Sequence, residues 1–243
     1  MSRSNPQEHL SNPAVRWFEW NGEKGLVRYY DKDAKQNVDI PLPFTFILLD
    51  ELASVRGWHD PSQSGIYSNE VRDTTQELLL VKSFKGGIIA EGKYKDIKLV
   101  VNNAGGAYVA SCYIACKGTD GQYYIGSIRM KGAALGAWME FRKANRADIY
   151  KKAIKISGFT EGKKGKVVYR MPEFALNSVS ADAEAMAVKL DRELQEFLCG
   201  YLKKNKRDQA DAVAHHVSDE DVAGAWQDNP EAVAAITEDD IPF

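Results

Sequence analysis

Short strands bounded by turns fill the middle of the chain and restrict its fold more than any other feature. Between residues 77 and 130, apolar and β-branched segments of strand length alternate with polar or glycine-containing turns. This density of strands and turns predicts a mainly β domain, built as an antiparallel barrel or sandwich. The predicted strands of this region are 78–84, 88–94, 97–102, 107–116 and 123–130.

The segment before this region predicts a hairpin, a long strand and a loop. Residues 15–20 and 24–30 flank Asn-Gly, which allows the positive φ angles of a tight turn. Residues 44–56 are rich in Phe, Ile, Leu and Val, which predicts a strand. The polar stretch 58–70 predicts a long loop that presents Trp58 and Tyr67 to a ligand. The alternative is that both rings fold back onto the core.

The pattern changes after residue 130. Residues 133–144 predict a short helix, because Leu135, Trp138 and Met139 fall on one helical face. Two further strands are predicted at 154–159 and 167–174. Ser180 predicts an N-cap for a C-terminal helix over about 181–204, with an apolar stripe that packs on the β body.

The order of strands, short helix and two-stranded hairpin is typical of a five-stranded Greek-key barrel of the OB type. In that scheme 123–130 is the third strand, 154–159 and 167–174 are the fourth and fifth, and the loops at 58–70 and 160–166 flank the binding face. The predicted strands exceed five, so we expect an OB-fold-like antiparallel Greek-key barrel with extra strands. The predicted organisation is a flexible arm (1–13), this domain (14–207) and a largely disordered acidic tail (208–243).

Positive charge and aromatic rings are concentrated in residues 129–170, which hold twelve cations and three acids. Proteins that bind single-stranded nucleic acid combine cations, which follow the phosphates, with rings that stack on bases. Trp138 and Phe159 are predicted to belong to the core, whereas Tyr124, Tyr150 and Tyr169 fit the core or the surface equally well. The candidate binding residues are Trp58, Tyr67, Tyr124, Arg129, Lys131, Arg142, Lys143, Arg146, Tyr150, Lys151, Lys152, Lys155, Lys163, Lys164, Lys166, Tyr169 and Arg170.

Motifs of catalysis and metal binding are missing from the sequence. The four histidines do not form HExxH, and there is no GxSxG or phosphate-binding GxxxxGK[ST]. Three cysteines without a CxxC spacing argue against a zinc site and a disulfide framework. We therefore expect neither an enzyme nor a cofactor. No apolar segment is long enough to span a membrane and no signal peptide is evident, so a cytoplasmic protein is expected.

The end of the chain has the opposite charge to the rest. Residues 208–243 hold ten acids and no lysine or arginine, whereas all 32 cations lie in 1–207 beside the other 24 acids. The last five residues are Asp239, Asp240, Ile241, Pro242 and Phe243. This tip resembles the C-terminus of bacterial single-stranded DNA-binding proteins. The basic β body with an acidic tail, and locally Trp58, residues 64–71 and the GKKGK hairpin, resemble the single-stranded DNA-binding proteins of tailed bacteriophages.

The resemblance implies a protein that coats single-stranded DNA regardless of sequence, as a possible homo-oligomer. It also implies that the five tip residues bind proteins of DNA replication, recombination and repair. The chain departs from the bacterial pattern because an Ala/Asp-rich segment replaces the usual Gly/Gln/Pro-rich linker. The alternatives are a protein–protein adaptor without DNA binding and a nuclease with dispersed catalytic residues.

The opposite charges of tail and body predict that the tail competes with nucleic acid for the basic groove. Deletion of residues 208–243 is therefore expected to raise the affinity for single-stranded DNA at low salt. A titration of fluorescent oligo(dT) with the full and the shortened chain measures this, and equal affinities would contradict the competition.

Overall fold

The computed structural model describes residues 11–207, and of residues 204–207 only their place in a helix. Eleven strands and three α-helices make up this part of the chain. The strands are β1 (Arg16–Asn21), β2 (Leu26–Asp31), β3 (Gln36–Ile40), β4 (Phe44–His59), β5 (Ser64–Ser68), β6 (Leu79–Ser83), β7 (Gly87–Gly92), β8 (Gly106–Lys117), β9 (Tyr123–Met130), β10 (Ala153–Lys164) and β11 (Val167–Asn177). The helices are α1 (Tyr94–Asn103), α2 (Gly132–Ala144) and α3 (Ala181–Arg207). The predictions of a mainly β fold and a C-terminal helix are confirmed.

All eleven strands belong to one mixed sheet. Its main path runs β3-β2-β1-β9-β8-β4-β5-β6-β7, and a branch leaves it where β4 also pairs with β10, which pairs with β11. Every pairing is antiparallel except that of β1 with β9. The expectation of a wholly antiparallel sheet is therefore wrong at that pair. The path has open ends at β3 and β7, so the sheet does not close on itself.

The long strand β4 holds the two halves of the sheet together. Over its sixteen residues it pairs with β10 at its start, with β8 along most of its length and with β5 at its end. A bulge interrupts its register between Leu48 and Asp50. Side chains on both faces of β4 are buried, because helices cover both sides of the sheet around it.

Helix α2 covers one side of the sheet and completes the larger core. Trp138 is 0% exposed, and its ring meets the edge of Phe174 on β11 at 5.3 Å. The prediction of Trp138 as a core residue is confirmed. Residues of β1, β2, β4, β8, β9 and β10, together with Ile149, also belong to this core.

Helix α3 packs on the opposite side of the sheet, which confirms its apolar stripe as a packing face. Leu194 and Leu198 are buried in a second core against Leu52 of β4. At the start of the helix, the amide of Ala183 donates a hydrogen bond of 3.3 Å to Ser180 Oγ, as expected for an N-cap.

Polar contacts fix the position of α3 on the sheet. Arg72 donates two hydrogen bonds to the carboxylate of Asp50, at 2.9 and 2.7 Å. Gln195 of α3 donates to the same carboxylate at 2.9 Å. The amide of Glu70 donates to the hydroxyl of Tyr201 at 2.8 Å. These bonds join α3 to the chain segment that follows β5.

The predicted strand at 97–102 is wrong, because this segment lies within helix α1. Its β-branched residues favour a strand, but Ile97 and Val101 are four residues apart and both are buried, Ile97 beside β7 and Val101 beside β8. Leu99 and Val100 lie on the other side of the helix and are exposed.

The predicted long loop at 58–70 is also wrong. Trp58 and His59 extend β4, and after a 3-10 turn (Asp60–Ser62) the chain returns as β5. Gln63 closes this turn with a positive φ of 47°. Likewise, most of the predicted connection 160–166 is strand, since β10 and β11 pair as far as Lys164 and Val167.

The packing of α3 predicts a large loss of stability when a buried side chain of its apolar stripe is truncated. Leu194 is 0% exposed, whereas Val188 on the same helix is 45% exposed. We expect Leu194→Ala to lower the free energy of unfolding by about 2–5 kcal/mol and Val188→Ala to change it by less than about 0.5 kcal/mol. Urea unfolding measures both, and equal effects would contradict this position of α3.

Candidate nucleic-acid interface

Residues alternate between the two sides of the central strands, and one side carries buried polar groups. Ile128 of β9 and Cys112 of β8 point to the α2 core, so their neighbours Arg129 and Ser111, which pair with each other, point the other way. We call this side, beyond the part that α3 covers, the polar face. It comprises Glu19, Arg28, Ser54, Arg56, Trp58, Tyr67, Ser111 and Arg129.

Both aromatic residues of the predicted loop lie on the polar face. Trp58 is two residues after Arg56 on β4 and therefore shares its side of the sheet. Tyr67 of β5 is the cross-strand partner of Arg56, and its ring stacks on Phe84 at 4.5 Å. Both rings remain half-exposed. The structure thus brings Trp58 and Tyr67 to the same face as Arg129, although they lie on strands rather than on a loop.

Arg56 is a residue of this face that the sequence prediction missed. It is only 7% exposed and lies within a strand that otherwise reads as apolar. The signal in the sequence is the spacing of Ser54, Arg56 and Trp58, three polar or amphipathic residues at alternate positions of one strand.

The polar face has an excess of positive charge. Arg28 donates to Glu19 at 2.6 Å, and Lys131 Nζ lies 3.9 Å from the other oxygen of that carboxylate. Burial and the nearby charge of Arg56 together lower the pKa of Arg129 to about 10. Burial likewise lowers the pKa of Lys131. The cations of this face are therefore close enough to affect one another, although Arg129 and Lys131 remain partly exposed.

A cavity of about 320 Å³ opens beside Arg129. Strand β1, strand β2 and the turn after β2 line it, with Trp17, Tyr30 and Lys32 on its wall. The ammonium group of Lys32 lies 5.7 Å from the centre of the Trp17 ring. The cavity thus joins the cations Arg16, Lys32 and Arg129 and two aromatic rings to three acids, Glu19, Asp31 and Asp33.

The hairpin of β10 and β11 carries a second group of predicted residues. Lys163, Lys164 and Lys166 are exposed near its tip. The ring of Tyr169 lies directly over Gly162, where a Cβ atom would approach its Cζ to 2.5 Å.

Contacts at the base of this tip join the hairpin to the turn between β1 and β2. Trp20 Nε1 donates to the carbonyl of Arg170 at 2.7 Å, and Gly22 accepts from the amide of Arg170 at 2.8 Å. The guanidinium of Arg170 lies over Phe159 at 5.2 Å and pairs with Glu161 at 3.0 Å. Phe159 is 39% exposed, so its assignment to the core is wrong.

The remaining predicted residues lie away from the polar face. Tyr124 points to the α2 side, where Arg16 donates to its hydroxyl at 3.3 Å. Arg142 forms an ion pair with Glu51, which also accepts a hydrogen bond of 3.0 Å from Trp138 Nε1. Lys155 of β10 is the cross-strand partner of Thr45 on β4. The end of α2 and the turns after it carry Lys143, Arg146, Tyr150, Lys151 and Lys152.

The arm and the tail are described only in part. Residues 1–10 and the whole tail, with Asp239, Asp240, Ile241, Pro242 and Phe243, lie outside the described residues. The end of the predicted arm is held in place, since Asn12 donates to the hydroxyl of Tyr113 at 3.0 Å.

Neither a metal site nor a membrane-spanning helix is found among the described residues. Residues 11–207 contain no group of three or more His, Cys, Asp or Glu placed to hold a metal ion. None of their helices has the length and apolar character needed to cross a membrane.

Comparison of the chain with protein-family models, with curated proteins and with solved structures finds no match.

The environment of Glu51 predicts a pH-dependent contribution to stability. Burial raises the pKa of Glu51, although Arg142 and Trp138 favour its charged form. A carboxyl whose pKa is higher in the folded state loses its stabilising contribution as the pH rises through that value. Glu51→Gln removes this loss, so we expect the stability of the variant relative to the wild type to increase from about pH 4.5 to about pH 7.

Urea unfolding at the two pH values measures this difference. Glu140→Gln, at an exposed position of α2, is the matched control for the loss of a carboxylate. A stability of Glu51→Gln relative to the wild type that stays constant, or falls, from about pH 4.5 to about pH 7 would contradict a raised pKa of Glu51.

Proposed function

We propose that this protein binds single-stranded DNA without sequence preference, on the polar face. The observation that carries the proposal is that Trp58 and Tyr67 share one side of the sheet with Arg56 and Arg129. Cations at such a face neutralise backbone phosphates, and half-exposed rings stack on unpaired bases of any identity. The bases of a duplex are already stacked and paired, so a duplex would use only the cations.

In this proposal the β10–β11 hairpin provides a second contact for the DNA strand. The cavity beside Arg129 lies at the start of β1 and the end of β2. The hairpin contacts the opposite end of these two strands, where Trp20 and Gly22 bond to Arg170. There the exposed Lys163, Lys164 and Lys166 hold phosphates as flexible point charges.

The strand pairing supports an OB-fold-like unit within the larger sheet. Strand β4 pairs with both β8 and β10, β8 pairs with β9, and β10 pairs with β11. Helix α2 lies between β9 and β10 in the chain, as the helix of a Greek-key barrel does. In this assignment β8 and β9 are strands two and three, whose outer face binds oligonucleotides in OB folds. The segment from β5 to α1 is then an insertion after strand one.

We propose the acidic tip as the binding site for proteins of replication and recombination. Phe243 supplies a ring that fits an apolar pocket. Asp239 and Asp240 steer the approach to a basic rim around such a pocket. The polar face and the tip would then perform separate tasks, one on DNA and one on proteins.

Replacement of Trp58 tests the proposed face. We expect Trp58→Leu to weaken binding of oligo(dT) by about 1–3 kcal/mol, roughly 5- to 150-fold, because one stacked base is lost. Tyr150→Leu is the matched control, since Tyr150 is 53% exposed but lies off the face, and it should change binding less than about twofold. Fluorescence titration of labelled oligo(dT) measures both, after urea unfolding has shown that both variants fold.

The same titration separates the proposal from an adaptor and from a nuclease. Binding should weaken with salt by about 0.7 log units per contacted phosphate for each tenfold increase in salt. Duplex DNA of the same length should bind more weakly. Absence of oligo(dT) binding would leave the adaptor, and shortening of the oligonucleotide on addition of magnesium would establish a nuclease.

A further inference from the structure

Within residues 11–207, no carboxylate forms an ion pair with either of two arginines at the centre of the polar face, Arg56 and Arg129. Among the described residues, Arg56 Nε is the only buried side-chain nitrogen or oxygen without a hydrogen-bond partner. Arg129 feels the charges of Glu19 and Glu70, but these carboxylates already accept hydrogen bonds from Arg28 and from the hydroxyl of Tyr113.

Holding this pair together costs stability. A buried polar group without a hydrogen bond is unfavourable, and a buried charge without a partner is more so. Arg56 and Arg129 also lie close enough for their charges to repel. Such an arrangement persists in a fold when the protein needs the charges for something other than stability, and an anion between the two guanidinium groups would remove both costs.

Two serines add a donor to the same place. Ser54 and Ser111 are both 0% exposed, and their hydroxyl oxygens lie 3.0 Å apart across β4 and β8. On the polar face they lie between the β4 position of Arg56 and the β9 position of Arg129. A hydrogen bond between two hydroxyls uses one of their two hydrogens, so the other remains to donate.

We propose that Arg56 and Arg129 form a binding site for a single phosphate group. Guanidinium groups suit this ligand because each presents parallel N–H donors that match two oxygens of a phosphate. Arg129 lines the cavity beside β1 and β2, so a phosphate reaches the pair from that cavity. The assignment of this phosphate to the backbone of single-stranded DNA rests on the proposed function.

The site would fix the position of the DNA strand along the polar face. A phosphate held by two arginines at the edge of the cavity leaves the attached nucleoside beside Trp17 and Tyr30. It differs from the exposed lysines of the hairpin, since Arg56 is buried, Arg129 is partly buried, and each planar guanidinium group can hold two oxygens of one phosphate. We expect one strongly held phosphate and several weakly held ones.

The test replaces each arginine by an apolar residue of similar length. Arg56→Met and Arg129→Met remove one guanidinium each, and Lys95→Met on the exposed side of α1 is the control for the loss of one charge. Thermal unfolding is measured with and without inorganic phosphate at constant ionic strength. Oligo(dT) titrations at several salt concentrations give the salt slope.

The proposal predicts opposite changes in stability and in binding. Without ligand, Arg56→Met should melt at a higher temperature than the wild type, because it removes a buried charge without a partner. Its affinity for oligo(dT) should fall, and its salt slope should become shallower by about 0.7, the value of one phosphate contact. Phosphate should raise the melting temperature of the wild type and of Lys95→Met but not that of Arg56→Met.

The outcomes separate this site from the proposed function. Phosphate stabilisation that depends on Arg56, in a protein that does not bind oligo(dT), would support the site and assign it to a small phosphate ligand. Oligo(dT) binding with an unchanged slope in both arginine variants would overturn the site and leave the proposed function standing. A lower melting temperature of Arg56→Met with an unchanged slope would make Arg56 structural. Arg129→Met provides the same readouts if Arg56→Met does not fold, and failure of both to fold would also overturn the site.

Discussion

The pairing of β4 with three other strands is the constraint on which the rest of the structure depends. Its start holds β10, its middle holds β8 and its end holds β5, so one strand connects the hairpin, the central sheet and the β5–β7 segment. Its two sides also belong to different cores, one closed by α2 and one by α3. The polar face begins on the α3 side beyond Leu52, where the strand continues with Ser54 and Arg56.

This continuation explains how a buried strand contributes to a surface for ligands. Alternation puts Leu52, Ser54, Arg56 and Trp58 on one side of the sheet, so the same side changes from apolar packing to polar groups along the strand. Buried cations are costly where no carboxylate is bonded to them. The concentration of that cost at Arg56 and Arg129 is the physical basis for the phosphate site that we propose.

The sequence predicted the strands and helices far better than it predicted which of them lie next to one another. The β1–β2 hairpin, the long strand from Phe44, helix α2 and helix α3 with its cap at Ser180 all follow from local patterns, and each is confirmed. The expected positive φ at Asn21-Gly22 is wrong, because Gly25 has the positive φ of this turn. The failures also have local causes. Ile97 and Val101 fit a helix and a strand until their burial is known. Residues 58–70 read as a loop because β5 buries polar residues, Ser64 and Ser68.

The charge pattern shows the same division between sequence and structure. The sequence determined that cations and rings are concentrated in residues 129–170 and that the acids without cations are at the end of the chain. Only the tertiary structure decided which cations share a surface: Arg142 is bonded to Glu51, Arg170 to Glu161, and Arg129 lies near Arg56, more than seventy positions away. The physical reason is that alternation within a strand is set by local geometry, whereas the register between β4, β8 and β9 is set by packing on both faces of the sheet.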